Sequence, residues 1–283
     1  MKAQLIDGKL ISAEIKAEAA EEAAALKEQG IEPCLAVVLV GDDSASQVYV
    51  NNKKKACEAV GIKSVSHVLS GETTEEELLQ LIAELNADKS VHGILVQMPV
   101  PKHIDDRKVI MAISPDKDVD CFHPVNVGKM SIGEPAFLPC TPAGCMEMLK
   151  EYNIDVRGKR CVVLGRSNIV GKPMAMLLTA ADGTVTTCHS RTVDLPAICR
   201  EADILVSAIG KTKFVTADMV KEGAVVIDVA MNRDENGKLC GDVDFAAVAP
   251  KCSYITPVPG GVGPMTRAML MENILTAAKD HQK

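Results

Sequence analysis

The stretch YVNNKKKACEAVGI, residues 49–62, sets a tyrosine four positions ahead of the first of three consecutive lysines. Residues four apart share one face of a helix, so Tyr49, Lys53, Ala56 and Val60 form a single stripe. Lys54 falls roughly 100° further round and Lys55 roughly 200° round. Lys53 alone of the three therefore sits beside the tyrosine and the small, core-facing residues. Two readings are open for it. A lysine can lay its stem along apolar neighbours and keep its amine in water. Alternatively, partial burial among like charges favours the neutral amine, which can then act as a general base. Gln97 ends the apolar run GILVQM. A polar group at the end of a buried strand needs a partner, and Lys53 can supply one.

A second constellation is VVLGRSNIVGKP, which follows a strand pattern and opens a helix pattern. It is not an ATP-type P-loop: five residues separate Gly165 from Gly171, and Pro173 stands where a magnesium-binding hydroxyl is required. The G-x-G-x-x-G fingerprint is absent too. What remains is either a plain glycine-rich turn or a dinucleotide loop. In the second case Gly165 permits the tight turn, small Ser167 permits close approach, and the helix N-terminus offers N–H groups to a diphosphate. The strand that follows ends TTCHSRT, with His189, Ser190 and Arg191 and no acid for a free ribose hydroxyl. Hydroxyl and cationic groups, with Arg166 in the loop, suit a 2′-phosphate, so the expected cofactor is NADP rather than NAD.

The elements that must position these residues alternate along the chain. ISAEIKAEAAEEAAALKEQG reads as a helix stopped by Gly30, CLAVVLV as a strand buried on both faces, the lysine segment as a helix, SVSHVL as a strand. TTEEELLQLIAELN reads as a helix opened by a capping box from Thr73 to Glu76. A loop-rich stretch runs from Pro99 to about Pro142, after which strand–helix alternation restarts at RCVVLG, with a hairpin at RDENGKLCGD and a last helix from about Val262. Such alternation with apolar strands means parallel sheets covered by helices. The expected fold is α/β, with two α/β domains, the second a Rossmann-like parallel sheet, and a cleft between them.

Seven segments, YVNNKKKACEAVGI, GILVQMPVP, PDKDVDCFHPVNVG, PCTPAG, GRSNIVGKPMAMLL, CHSRTVDL and TPVPGGVGPMT, occur in order over nearly the whole chain. Together they strongly resemble the bifunctional methylenetetrahydrofolate dehydrogenase/methenyltetrahydrofolate cyclohydrolase family. The resemblance implies a folate-binding catalytic domain (1–139 plus 264–283), an NADP domain (140–263) and a homodimer acting on tetrahydrofolate derivatives. It puts Tyr49, Lys53, Gln97 and Asp120 in the active site. Tyr49 either stacks on the pterin or hydrogen-bonds near it. The Asp120 carboxylate can accept from the pyrimidine ring N–H and its neighbouring amino group; on composition alone, DKDVD is an acidic surface turn. Pro259, Gly260 and Gly261 bring bare backbone to the substrate, and Gly165, Arg166, Ser167, Ile169, His189, Ser190 and Met231 bind the cofactor. The chain departs from the family pattern at Cys121, where glycine is usual and cysteine is strained if φ is positive. It departs also at Ala230 and Met231, which replace Gly-Ile, and at Ser44, which replaces proline.

Composition closes other classes. The net charge of −7, the lack of tryptophan and an aromatic content of 2% disfavour nucleic-acid binding. No apolar run reaches the ~18 residues of a membrane span, and the first residues lack a signal-peptide core. Ten cysteines without a CxxC pair read as reduced, buried thiols of a cytoplasmic protein with no metal site. Two readings compete with the family reading: another NADP-dependent dehydrogenase of similar plan, acting on a keto acid or shikimate-like ring, and a non-catalytic nucleotide-binding protein. Neither needs Tyr49, Lys53, Gln97 and Asp120 together.

Overall fold

The alternating apolar runs fold as parallel strands joined by helices. The computed structural model describes residues 3–135 and 137–280. The first half contains β1 (Gln4–Leu5), α1 (Gly8–Glu28), β2 (Cys34–Val40), α2 (Ser44–Ala59), β3 (Lys63–Leu69), α3 (Glu75–Ala87), β4 (Gly93–Val96), α4 (Asp106–Ala112) and α5 (Pro124–Ser131). Then come α6 (Cys140–Glu151), β5 (Arg160–Leu164), α7 (Gly171–Ala180), β6 (Thr184–Cys188), α8 (Leu195–Arg200) and β7 (Ile204–Ser207). The chain ends with β8 (Val225–Asp228), β9 (Asn232–Arg233), β10 (Leu239–Cys240), α9 (Phe245–Val248), β11 (Tyr254–Ile255) and α10 (Val262–Asp280).

The chain forms two units: Glu14–Leu138 with the residues from Arg267 onward, and the residues up to Ala13 with Pro139–Thr266. The first, here the lysine unit, holds a three-stranded parallel sheet in the order β3-β2-β4. All seven residues of β2 are buried, which is why CLAVVLV lacks polar alternation. On one face Ala36, Val38 and Val40 pack with Leu78, Ile82 and Leu85 of α3. The 4- and 3-residue steps between those α3 residues lay its apolar stripe on the sheet. The capping box that starts α3 is Thr74 with Glu77, one residue later than the sequence reading placed it: Thr74 Oγ1 accepts from Glu77 N at 3.2 Å and Thr74 N donates to Glu77 Oε2 at 2.8 Å. TTEEE fits either register, and the buried positions of α3 select the second. The stretch expected as loop also contains α4 and α5, helices of 7 and 8 residues whose short periodicity is hard to read from sequence.

The second unit, the glycine-loop unit, holds a six-stranded parallel sheet in the order β1-β11-β8-β7-β5-β6. Strand β5 lies between β6 and β7, so the chain leaves it on one side and returns on the other. That reversal is the topological switch point at which doubly wound sheets bind ligands, beyond the strands' carboxyl ends. Val162, Leu164, Leu205, Val226 and Ile255 pack with Cys199, Met219 and Val248 beneath it. Strands β9 and β10 pair antiparallel as a hairpin.

Candidate active site

In the lysine unit, α2 is started by Asp43, whose carboxylate accepts from Ser46 N at 2.7 Å. Val50, Ala56, Cys57 and Val60 are buried, which fixes the rotation of the helix. Tyr49 is 42% exposed, while Lys53 is half-buried. Lys53 Nζ donates to Gln97 Oε1 at 3.2 Å. Gln97 follows β4; its backbone N–H donates to Val38 O at 2.8 Å and its Nε2 donates to Met98 O at 2.8 Å. The side-chain amide is thereby held with its oxygen toward the lysine. A neutral amide oxygen orients the amine without setting a carboxylate charge against it. The other two lysines are the wet face: Lys54 reaches Glu58 at 4.0 Å and Lys55 is exposed. Ser44 opens α2 by its backbone; its side chain lies outside the described residues.

Asp120 is tied to the same strand through its neighbours. Asp118 bridges to Ile94 of β4 in parallel register. DKDVD is not the acidic surface turn that its composition suggests: Lys117, Asp118 and Val119 are buried, and Asp120 is half-buried. Asp118, which the sequence reading passed over, accepts from His123 N at 2.8 Å, Asn126 Nδ2 at 2.9 Å and Phe122 N at 3.1 Å. Burial nevertheless pushes its carboxyl up to about 6. The turn it braces places Cys121 at φ 58°. Cysteine thus stands in the left-handed region that glycine tolerates without cost; an L-residue there costs on the order of 1 kcal/mol. The side chain is fully buried and its thiol donates to Phe137 O at 3.3 Å.

In the glycine-loop unit, Gly165 has φ 111°, and a Cβ there would overlap the Ala208 carbonyl, with its carbon at 3.1 Å. Ser167 does more than permit close approach. Its hydroxyl accepts from Val170 N and Gly171 N, both at 3.2 Å, and Lys172 N donates to Ser167 O at 3.0 Å. Met174 N donates to Val170 O and Pro173 has no N–H. The first-turn donors of α7, expected to face a diphosphate, are therefore taken by the protein. Among the described residues, the amides of Arg166, Ser167, Asn168 and Ile169 have no protein acceptor, so the loop ahead of the helix is what an anion would meet.

A cavity of about 300 Å³ opens beyond β5, β6 and β7, lined by Gly165, Arg166, His189, Ser190, Ile209, Lys211 and Phe214 among others. It unites four of the residues assigned to the cofactor. Arg191 N donates to His189 Nδ1 at 3.2 Å, which leaves Nε2 to carry the proton of a neutral ring. Lys211 and Phe214 were not singled out from sequence; the available signal was SAIGKTKF directly after a buried strand, with Gly210 at φ 68°. Ile169 and Met231 are 50% and 43% exposed and do not line the cavity. The floor fits a dinucleotide: bare backbone at Gly165, unclaimed amides, a hydroxyl and cationic side chains beside an apolar slot.

Pro259, Gly260 and Gly261 form the turn after β11 in the same unit. Gly261 N donates to Pro257 O at 2.8 Å. Gly260 has φ 112°, and a Cβ there would meet Lys9 Cε at 3.2 Å. A Cβ on Gly8 would overlap the Gly261 carbonyl, so the turn packs backbone to backbone against the start of α1. Helix α10 begins at Val262, two residues before Pro264.

A switch-point cavity with a phosphate-type loop, and a separate α/β unit carrying an oriented lysine–glutamine pair, define a dinucleotide-dependent enzyme. Comparison with known proteins narrows this. The tetrahydrofolate dehydrogenase/cyclohydrolase catalytic domain matches residues 6–120 and the NAD(P)-binding domain of the same name matches residues 139–282. The chain belongs to the tetrahydrofolate dehydrogenase/cyclohydrolase family. It is 64% identical over 277 residues to the bifunctional protein FolD of Agathobacter rectalis, covering 98% of this chain and 99% of that one. The crystal structure of the bifunctional FolD of Campylobacter jejuni matches with a TM-score of 0.97 at 54% identity, over 98% of this chain and 99% of that one. The Trypanosoma brucei methylenetetrahydrofolate dehydrogenase-cyclohydrolase, solved with NADP cofactor and an inhibitor, matches with a TM-score of 0.96 at 42% identity, covering 100% and 99%. Among the described residues no helix is long and apolar enough to cross a membrane.

Proposed function

We propose that this chain oxidises 5,10-methylenetetrahydrofolate to 5,10-methenyltetrahydrofolate with NADP and then hydrolyses the product to 10-formyltetrahydrofolate. The observation that carries the reading is the 3.2 Å contact between Lys53 Nζ and Gln97 Oε1, an amine oriented by a neutral group.

Bound NADP supplies the acceptor for the hydride that leaves the folate's bridging carbon. Gly165 and the amides of 166–169 would hold its diphosphate, and Arg166, Ser190 and His189 would hold its 2′-phosphate side; Ile169 and Met231, outside the cavity, would meet it only at its edge. The cation that hydride loss leaves on the folate is delocalised over two flanking nitrogens, so this half needs positioning rather than a protein base. Asp120 accepts from the pyrimidine edge, Tyr49 covers the pterin, and Pro259, Gly260 and Gly261 present backbone to the substrate. The hydrolytic half needs a base. Water adds to the cationic carbon and Lys53 takes its first proton; the carbon–N5 bond then breaks as the hydroxyl oxygen gives up its remaining proton and forms the formyl C=O, with N5 keeping the bond's electron pair and taking up one proton. Gln97 holds the amine in place throughout. Glu14–Leu138 with the residues from Arg267 onward would serve as the folate part, and Pro139–Thr266 with the residues up to Ala13 as the NADP part.

Loss of a positioned general base costs about 10²–10⁴-fold. Lys53→Met is expected to lower methenyl hydrolysis by that factor while retaining part of the hydride transfer, so that methenyltetrahydrofolate accumulates beside NADPH. Equal loss of both activities in a folded variant removes Lys53 from the hydrolytic role.

A homodimer and a cytoplasmic setting complete the proposal. Strand β3 is an edge strand with Val68 65% exposed. A second copy along that edge would cover it; a monomeric mass by light scattering would remove this part. All ten cysteines are free and nine are buried, which suits a reducing compartment.

A further inference from the structure

One carboxylate outside the residues assigned so far gathers the loops around the cofactor cavity. Asp242 is fully buried. Its Oδ2 accepts from Ser207 Oγ at 2.9 Å, Ile209 N at 2.8 Å and Gly210 N at 3.3 Å. Its Oδ1 accepts from Lys211 N at 2.7 Å and Asn232 Nδ2 at 3.0 Å. The first four donors belong to the end of β7 and the turn after it, two of whose residues, Ile209 and Lys211, line the cavity. The fifth follows Met231 directly. A single side chain thus closes the turn at residues 209–211 and pins the segment after β8 to it.

Asp242 is itself held from β8. Asp242 N and Val243 N donate to the two oxygens of Asp228, at 3.0 and 2.9 Å. Gly241 must be glycine, because a Cβ would overlap the Asp228 carboxylate. The turn so fixed touches the phosphate-type loop as well, since Gly165 packs on the Ala208 carbonyl. Neutral hydroxyl or amide acceptors could not replace this carboxylate. Four N–H donors and a hydroxyl converge on it, and a side-chain NH₂ in either orientation would face at least one backbone N–H.

We infer that Asp242 is the positioning residue of the cofactor site, setting the 209–211 turn and the Asn232 segment in the conformation that NADP requires. The inference rests on the NADP reading above. Asp242 touches no reacting atom; it acts through Ile209, Lys211 and Asn232.

The test is Asp242→Asn, with NADPH binding followed by nucleotide fluorescence and the two activities assayed separately. Hydrogen bonds to a charged group carry enough energy that loss of one weakens binding by about tenfold or more. NADPH affinity is therefore expected to fall at least tenfold and the KM for NADP to rise in step. Hydrolysis of supplied methenyltetrahydrofolate, which consumes no nucleotide, should stay within about twofold. Amide hydrogen exchange at residues 209–211 should quicken in the nucleotide-free protein. Unchanged NADPH affinity in a folded variant overturns the proposal, as does equal loss of both activities. Should Asp242→Asn fail to fold, Asn232→Ala removes one donor and leaves the carboxylate: a KM rise for NADP with hydrolysis retained supports the inference, and no change in KM defeats it. A wild-type protein that binds no NADPH would defeat the cofactor reading itself, a separate result.

Discussion

Gly165→Ala tests whether close backbone contact shapes the cofactor loop. Two costs add at this position. At φ 111° an L-residue lies outside its comfortable regions, which costs on the order of 1–3 kcal/mol. The new methyl would also overlap the Ala208 carbonyl, whose carbon would lie at 3.1 Å. Neither side yields easily: Gly165 N donates to Cys188 O at 2.9 Å and Ala208 N donates to Leu164 O at 2.9 Å, so both are tied into the sheet. The loop must shift by roughly an ångström, a displacement that can cost 10²-fold at a site. Gly223→Ala supplies the control. Gly223 lies in the same unit at φ 78°, and a Cβ there meets nothing within 4 Å. It bears the backbone cost, about 1 kcal/mol, without the overlap. Thermal melts and NADPH titrations of both variants separate the terms. The expected result is a larger loss of stability at 165 than at 223, with NADPH binding weakened about 10²-fold only at 165. Binding by the Gly165→Ala protein within twofold of wild type would falsify the claim that this contact sets the loop.

Two further outcomes follow from the sites. Arg166→Ala should narrow the preference for NADP over NAD, measured as the ratio of kcat/KM values, because a guanidinium at the cavity wall favours a 2′-phosphate; an unchanged ratio removes that role. Asp118 has a folded pKa of about 6, raised chiefly by burial. Its folded state binds the proton more tightly than the unfolded chain, so its share of stability is present below the unfolded value, ~3.9, and is lost as pH rises through about 6. That loss is roughly 3 kcal/mol, from two pKa units at 1.36 kcal/mol each. Denaturation of wild type and Asp118→Asn across pH 4–7 should differ in slope in that window alone, and parallel curves would refute the assignment.

The sequence by itself determined the periodicities and the chemistry types. Seven adjacent apolar residues in β2, too short for a helix and followed directly by Gly41, read as a strand covered on both faces. The helical spacing of Tyr49, Lys53, Ala56 and Val60 singled out one lysine of three, since rotation about a helix axis is a local property. The absence of an acid after β6 pointed to a phosphorylated ribose for the same reason: composition at a known strand end is local. Tertiary structure decided what depends on partners distant in the chain. Gln97 lies 44 residues from Lys53, and only the pairing of β4 with β2, which carries α2 on its flank, brings the two within 3.2 Å. Asp118 and Asp120 look alike in DKDVD; burial against β4 made one a brace and left the other half-exposed. The first-turn amides of α7 were free in the sequence reading and taken in the fold, because the Ser167 hydroxyl turns back on them. Asp242 was invisible for the strongest reason: its donors come from residues 207–211 and 232, and no spacing rule links a carboxylate to a turn some 30 residues earlier until the pairing of β8 with β7, with Asp228 holding Asp242, sets them side by side.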